Sequence, residues 1–215
     1  MQLPESKDEE IASTITHGAG VIVTLIAIPS LLIHASYYCS PTMIGALCVF
    51  GIGMLSVYLS STLYHWVTPI ILKKRLRVWD HASIFLLIAG TYTPVIVKFL
   101  PKTSAIIFLS IMWSIVVAGI FMKIFFWKKL KIVSLALYLL LGWMAVFVLK
   151  PIITNMPGEI FWWILAGGLA YTLGVPFFAW KKVKYNHAIW HCFVLAGTAC
   201  HFIAIYKSLP VIVKM

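Results

Sequence analysis

Acidic residues are nearly absent from this chain: six Asp and Glu among 215 residues, against seventeen Lys and Arg, and charged residues of both signs make up only 11%. With 62% of residues hydrophobic, the apolar surface exceeds what a soluble core of this size can bury, which excludes an ordinary cytosolic domain and a disordered acidic segment alike. Cysteine is also sparse. Cys39, Cys48, Cys192 and Cys200 show no paired spacing, so neither a disulfide framework nor a thiolate zinc motif is indicated. The first ten residues, MQLPESKDEE, hold no apolar run before a small-residue cleavage site. No cleaved signal peptide is expected, and the first apolar helix serves as the insertion signal. Internal repeats and long polar linkers are missing too.

What is present is a series of long apolar runs. Windows of about 20 residues place spans near Gly18–Tyr38, Met43–Tyr64, Ala82–Phe99, Ser104–Phe126, Ile132–Leu149, Ile160–Trp180 and Ala188–Tyr206. Continuous rather than alternating apolarity selects helices over barrel strands. The expected fold is all-α: a polytopic membrane protein with a seven-transmembrane-helix bundle, one domain over 1–215, with 1–16 as a short N-terminal segment. The connections CSPT, LPKT and WKKLK are short, and the longest, HWVTPIILKKRLRVWD, reads as a basic, Trp-bearing segment at the headgroup boundary. Gly51 with Gly53, and Ala166 to Gly168, would let helices approach closely.

The net charge of +11 is distributed by loop. One side collects twelve cations (Lys7; Lys73, Lys74, Arg75, Arg77; Lys123, Lys128, Lys129, Lys131; Lys181, Lys182, Lys184) and the other five (Lys98, Lys102, Lys150, Lys207, Lys214). The positive-inside rule then puts the N-terminus in the cytosol and the C-terminus outside. Basic loops beside anionic lipid account for the charge, so membrane lipids are the expected partners; no nucleic acid is expected, and no protein partner is indicated.

Ionisable groups within or beside the spans each need a reason. His187 and His191, at i and i+4, project from one helical face and can present two imidazoles to one metal ion. Ser61 and His65 repeat that spacing in SSTLYH. The topology brings His65, His187, His191, Ser61 and Asp80 to one membrane depth. Three imidazoles are the usual set of a catalytic zinc site that keeps a fourth position open, and Asp80 supplies a carboxylate to deprotonate or orient water. Ser61 is placed to bond the carboxylate, the water or an oxyanion. Taken singly each has an ordinary alternative: lipid headgroup contacts for the histidines, an N-cap for Asp80, a bond back to the helix backbone for Ser61. Convergence at one depth favours a metal site. His17, at the same level, is a candidate to support the site or an interfacial residue. His81 points about 100° from Asp80 around the helix and reads as structural; His201 lies about 15 Å deeper than His191; and His34 belongs to the opposite face.

These residues resemble a known family. SSTLYH, Asp80, NHAIWH and AGTYTP (Ala89–Pro94) are similar to the bacterial hemolysin III branch of the progestin and adiponectin receptor superfamily, over essentially the whole chain. The family's Ser-x-x-x-His falls on Ser61 and His65, its aspartate on Asp80, and its His-x-x-x-His on His187 and His191. An N-terminal Glu-x-x-Asn-x-x-Thr-His pattern appears as Glu10, Thr16 and His17, with Ser13 where the asparagine stands. The resemblance implies Zn2+ held by the three histidines on the cytosolic side of a bundle inverted relative to G-protein-coupled receptors. It also implies kinship with the alkaline ceramidases, hence a lipid amide or ester hydrolase in membrane-lipid homeostasis, located as a multi-pass protein of the cell (plasma or inner) membrane. The alternative is a non-enzymatic sensor or regulator of bilayer state with zinc as a structural clamp. A pore-forming hemolysin is disfavoured by the missing secretion signal and pore strand, and a transporter by the lack of charge near the bilayer centre.

Overall fold

The computed structural model describes residues 6–126, 131–180 and 182–210. Lys128, Lys129, Lys181 and Lys214 of the charge count, and most of the WKKLK connection, lie outside the described residues. Among the described residues the regular structure is entirely helical: α1 (Lys7–Ser36), α2 (Pro41–Trp66), α3 (Ile70–Phe99), α4 (Lys102–Phe126), α5 (Lys131–Gly142), a 3-10 turn (Met144–Val148), α6 (Leu149–Asn155), α7 (Gly158–Ala179) and α8 (Asn186–Ser208). Seven segments are long and apolar enough to cross a membrane, the fifth running from Val133 to Asn155 through α5, the 3-10 turn and α6.

Three boundaries depart from the hydropathy reading. Helix α1 starts at Lys7, so most of the expected N-terminal segment is helical. Its start is fixed by a capping box in which Ser6 Oγ accepts from Glu9 N at 3.3 Å and Ser6 N donates to Glu9 Oε2 at 2.8 Å. Helix α3 starts at Ile70 rather than Ala82. The expected interfacial loop is three residues long, and its basic run forms the first turns of α3, because Lys and Arg are good helix formers that a hydropathy window cannot see. Asp80 is therefore mid-helix, which removes its reading as an N-cap. The fifth span breaks at Gly142, where Tyr92 Oη donates to Gly142 O at 2.8 Å and accepts from Ala145 N at 3.0 Å, satisfying backbone groups that lipid cannot.

Two apolar cores hold the bundle. One joins α3, α4 and the fifth span around Phe85, Ile96, Met112 and Leu141; the other joins α1, α2 and α8 around Leu31, Leu47, Phe50 and Ile205. Helices α2 and α3 approach through Gly53 and Gly90: a Cβ on Gly53 would stand 2.7 Å from Leu86 O, and one on Gly90 3.0 Å from Val49 O. Of the glycines expected to mediate packing, Gly51 meets Ile28 and Gly167 meets α8, whereas Gly168 has nothing within 4 Å and lines a cavity instead. The antiparallel order brings the start of α1, the end of α2, the first half of α3 and the start of α8 to one end of the bundle.

Lys123, counted among the loop cations, sits in the last turn of α4 and is only 3% exposed.

Candidate metal centre

His65 occupies the last turn of α2, and His187 and His191 the first two turns of α8; all three are buried. One ring nitrogen from each lies within 4.8 Å of the others. The ring centroids are 4.7 Å apart for His65–His187, 5.3 Å for His65–His191 and 4.7 Å for His187–His191. The i, i+4 spacing on α8 thus does what it predicts, and His65 joins from α2.

The N-terminal helix fixes two of the three rings. His65 Nδ1 lies 2.7 Å from Glu10 Oε2, and Lys73 Nζ holds the other Glu10 oxygen at 2.8 Å. His191 Nδ1 meets Thr16 Oγ1 at 3.1 Å and the Ser13 carbonyl at 3.3 Å. A carboxylate and a carbonyl only accept, so both Nδ1 atoms carry the proton and both Nε2 atoms keep their lone pairs. This is the arrangement that metal-ligating histidines ordinarily show, the outer nitrogen donating to a carboxylate or carbonyl. Ser61 Oγ, buried on α2, lies 3.4 Å from His191 Nε2 and so donates to that lone pair.

The start of α8 is tied down independently. Tyr185, with φ 59, is the positive-φ non-glycine among the described residues, and its N–H donates to Glu9 Oε1 at 3.1 Å. Asn186 Nδ2 donates to the carbonyls of Phe177 and Phe178 at the end of α7. Adjacent glutamates of α1 therefore hold the N-cap of α8 and the imidazole of α2.

Asp80 is 7% exposed and lines a cavity together with His187 and His191, but it is not part of the close three-histidine group. His81 Nδ1 donates to Arg77 O at 2.9 Å and lies 3.3 Å from Asp80 Oδ2, so it packs beside the carboxylate. His17 lies flat on His191, with ring centroids 3.5 Å apart and planes 13° from parallel, and neither of its ring nitrogens has a hydrogen-bond partner. His201 bonds Ile164 O at 3.0 Å between α8 and α7, and His34 bonds Pro210 O at 3.0 Å at the other end of the bundle.

The cavity, about 210 Å³, runs from Asp80 and the α8 histidines past Ile88, Leu139, Trp143 and Val175 into the apolar interior. Three clustered imidazoles, two of them with the outer nitrogen on a carboxylate or a carbonyl, suit a divalent d-block ion and leave a coordination position for water or substrate.

The helices and the histidine cluster together define a multi-pass membrane protein with a candidate three-histidine metal centre. The family model described as Haemolysin-III related matches residues 6–202, and the chain belongs to that family. It is 42% identical to Hemolysin-3 homolog of Bacillus subtilis (strain 168) over 92% of either chain. It is 41% identical to Hemolysin-3 of Bacillus cereus over 92% of this chain and 90% of that one. Human Monocyte to macrophage differentiation factor is 30% identical over 94% of this chain and 84% of its own length. No solved structure matches the chain.

Proposed function

We propose that the protein is a zinc-dependent intramembrane hydrolase of long-chain lipid amides or esters, with the histidine end of the bundle facing the cytosol in the cell membrane. The observation that carries this reading is the adjacency of Asp80 to His187 and His191, two of the three clustered histidines, on one cavity of largely apolar lining. Zinc is the metal that a three-imidazole set most often serves in hydrolysis, and when bound it supplies Lewis acidity toward water and a carbonyl oxygen.

The chain's own residues supply the rest. Asp80, beside the cluster but outside it, takes the proton of the attacking water and returns it to the leaving nitrogen or oxygen. His81 packs against that carboxylate. The Ser61 hydroxyl, 3.4 Å from His191 Nε2, polarises the substrate carbonyl. The apolar walls hold the acyl chain and exclude bulk water. The structural-clamp reading calls for a closed fourth ligand, and the separation of Asp80 from the histidine group weighs against it.

The test is turnover of matched long-chain amide and ester substrates by detergent-purified protein, wild type against Asp80→Asn, with metal content measured on both. The variant should keep its metal and lose at least about a hundredfold in rate, the usual worth of a general base. Equal turnover in the two proteins, or none in metal-loaded wild type across both substrate classes, would sink the proposal.

A further inference from the structure

Outside the cluster, His34, His81 and His201 each set a ring nitrogen on a backbone carbonyl: Pro210 O at 3.0 Å, Arg77 O at 2.9 Å and Ile164 O at 3.0 Å. His17 does not. It is 3% exposed, and among the described residues neither of its ring nitrogens has a hydrogen-bond partner. A neutral imidazole always carries one N–H, so the chain bears the desolvation of a donor and gains no bond from it. Packing does not account for that choice. His17 meets Tyr58 edge-on, with centroids 5.2 Å apart and planes at 74°, and a phenylalanine would keep this contact with no polar atom to bury. Its other ring contact, the near-parallel stack on His191 at 3.5 Å, is an arrangement aromatic pairs favour less than an offset or an edge.

The surroundings supply the reason. One turn of α1 wraps His191: Ser13 O and Thr16 Oγ1 lie 3.3 and 3.1 Å from its outer nitrogen, and His17 covers the ring face. Ser61 Oγ reaches the inner nitrogen from α2 at 3.4 Å. The rims of His17 and His191 are thus one ring thickness apart, and His17 lines the same cavity as Asp80, His187 and His191. Two uncharged donors, a hydroxyl and an imidazole, therefore flank one ring of the cluster. Donors fixed in a site of low dielectric act most strongly on an oxygen that gains negative charge, and a neutral imidazole can serve as such a donor.

We propose that His17 is a catalytic residue whose N–H, beside the Ser61 hydroxyl, binds the negatively charged oxygen that forms next to the three-histidine cluster. The inference rests on the hydrolase reading, in which this oxygen is the carbonyl oxygen of the lipid amide or ester. As the water oxygen bonds to the carbonyl carbon, its proton passes to Asp80 and the carbonyl π pair moves onto the oxygen that His17 and Ser61 hold. The imidazole keeps its own proton throughout. When the C–N or C–O bond breaks, the pair re-forms the carbonyl and the proton on Asp80 goes to the leaving atom.

Three variants separate a donor from a packing residue. His17→Phe keeps a ring and loses the N–H, whereas His17→Gln and His17→Asn return an amide N–H at the reach of Nε2 and Nδ1. Metal-stripped full-length His17→Phe in nonionic detergent should melt no lower than wild type, because it gives up an unpaired donor and no bond. Cobalt(II)-loaded proteins are then titrated with acetohydroxamic acid, an oxyanion mimic, and with ethanethiol, followed by the visible absorption of the ion. His17→Phe should weaken the hydroxamate about tenfold or more, the worth of a hydrogen bond to a charged group, and leave the thiol within about twofold. One of the amide variants should restore the hydroxamate. In turnover, kcat of His17→Phe should fall at least about a hundredfold with KM little changed.

The proposal is overturned when wild type takes up no metal, when His17→Phe binds the hydroxamate as wild type does or weakens both ligands alike, or when neither amide restores the loss. Should His17→Phe lose its cooperative melt, His17→Leu decides by the same criteria. Unchanged turnover in His17→Phe removes the donor and spares the hydrolase reading. Donor-dependent hydroxamate binding without turnover of either substrate class leaves the donor standing and the hydrolase reading fallen.

Discussion

Glu10 Oε2 stands 2.7 Å from His65 Nδ1, and this contact makes the first helix part of the candidate metal centre rather than a mere anchor. A carboxylate on the outer nitrogen fixes the tautomer and raises the basicity of the inner one. Glu10→Gln should therefore weaken metal binding by about tenfold to a hundredfold while the bundle stays folded, as read by chelator competition on protein whose melting point is followed in parallel. Unchanged metal affinity would reduce Glu10 to a partner of Lys73.

The α2–α3 contact leaves no space for a side chain at Gly53, since the nearest obstacle is the Leu86 backbone carbonyl. Gly53→Ala should cost about 1–3 kcal/mol through overpacking, seen as a lower melting temperature in detergent. Gly168 is the control, because a Cβ there meets nothing within 4 Å and the residue lines the cavity. Gly168→Leu should leave the melt nearly unchanged and slow turnover of long-chain substrates, and a melt shift equal to that of Gly53→Ala would contradict the assignment of Gly168 to the cavity.

Tyr92 bridges the break in the fifth span with bonds to Gly142 O and Ala145 N. Tyr92→Phe removes both, leaving two backbone groups inside a span unpaired where lipid offers no partner, at a cost of about 1–3 kcal/mol each. Faster hydrogen exchange confined to residues 139–148 is the expected signature, and an unaltered exchange profile there would show that the break holds without the tyrosine.

Most of the fold was legible because lipid imposes length and apolarity on every span, and the seven runs carry both. The start of α3 was not, because Lys73 to Arg77 are polar yet helical, and hydropathy measures only the first property. The break at Gly142 escaped because Tyr92, fifty residues away, supplies the bonds that permit it. For the site, the i, i+4 spacing paired Ser61 with His65 and His187 with His191, and the alternating topology put the two pairs at one depth. Glu10 and Ser13 were visible as motif positions without a role, and His17 as a supporting or interfacial residue; their spacings of three and four put them on one face of α1, but which element that face meets is a tertiary fact. Lys123 was hidden by its neighbours: next to a basic connection it reads as one more loop charge, and only its place in the buried stripe of α4 separates it from them.

The account stands on the three-histidine cluster, and elemental analysis for zinc on protein purified without chelators tests it most directly. Wild type should carry about one zinc per chain, the stoichiometry of a single three-histidine site, and His187→Ala/His191→Ala should carry none while keeping its helical content. Zinc absent from wild type, or retained in full by the double variant, would contradict the assignment of His65, His187 and His191 as a metal centre.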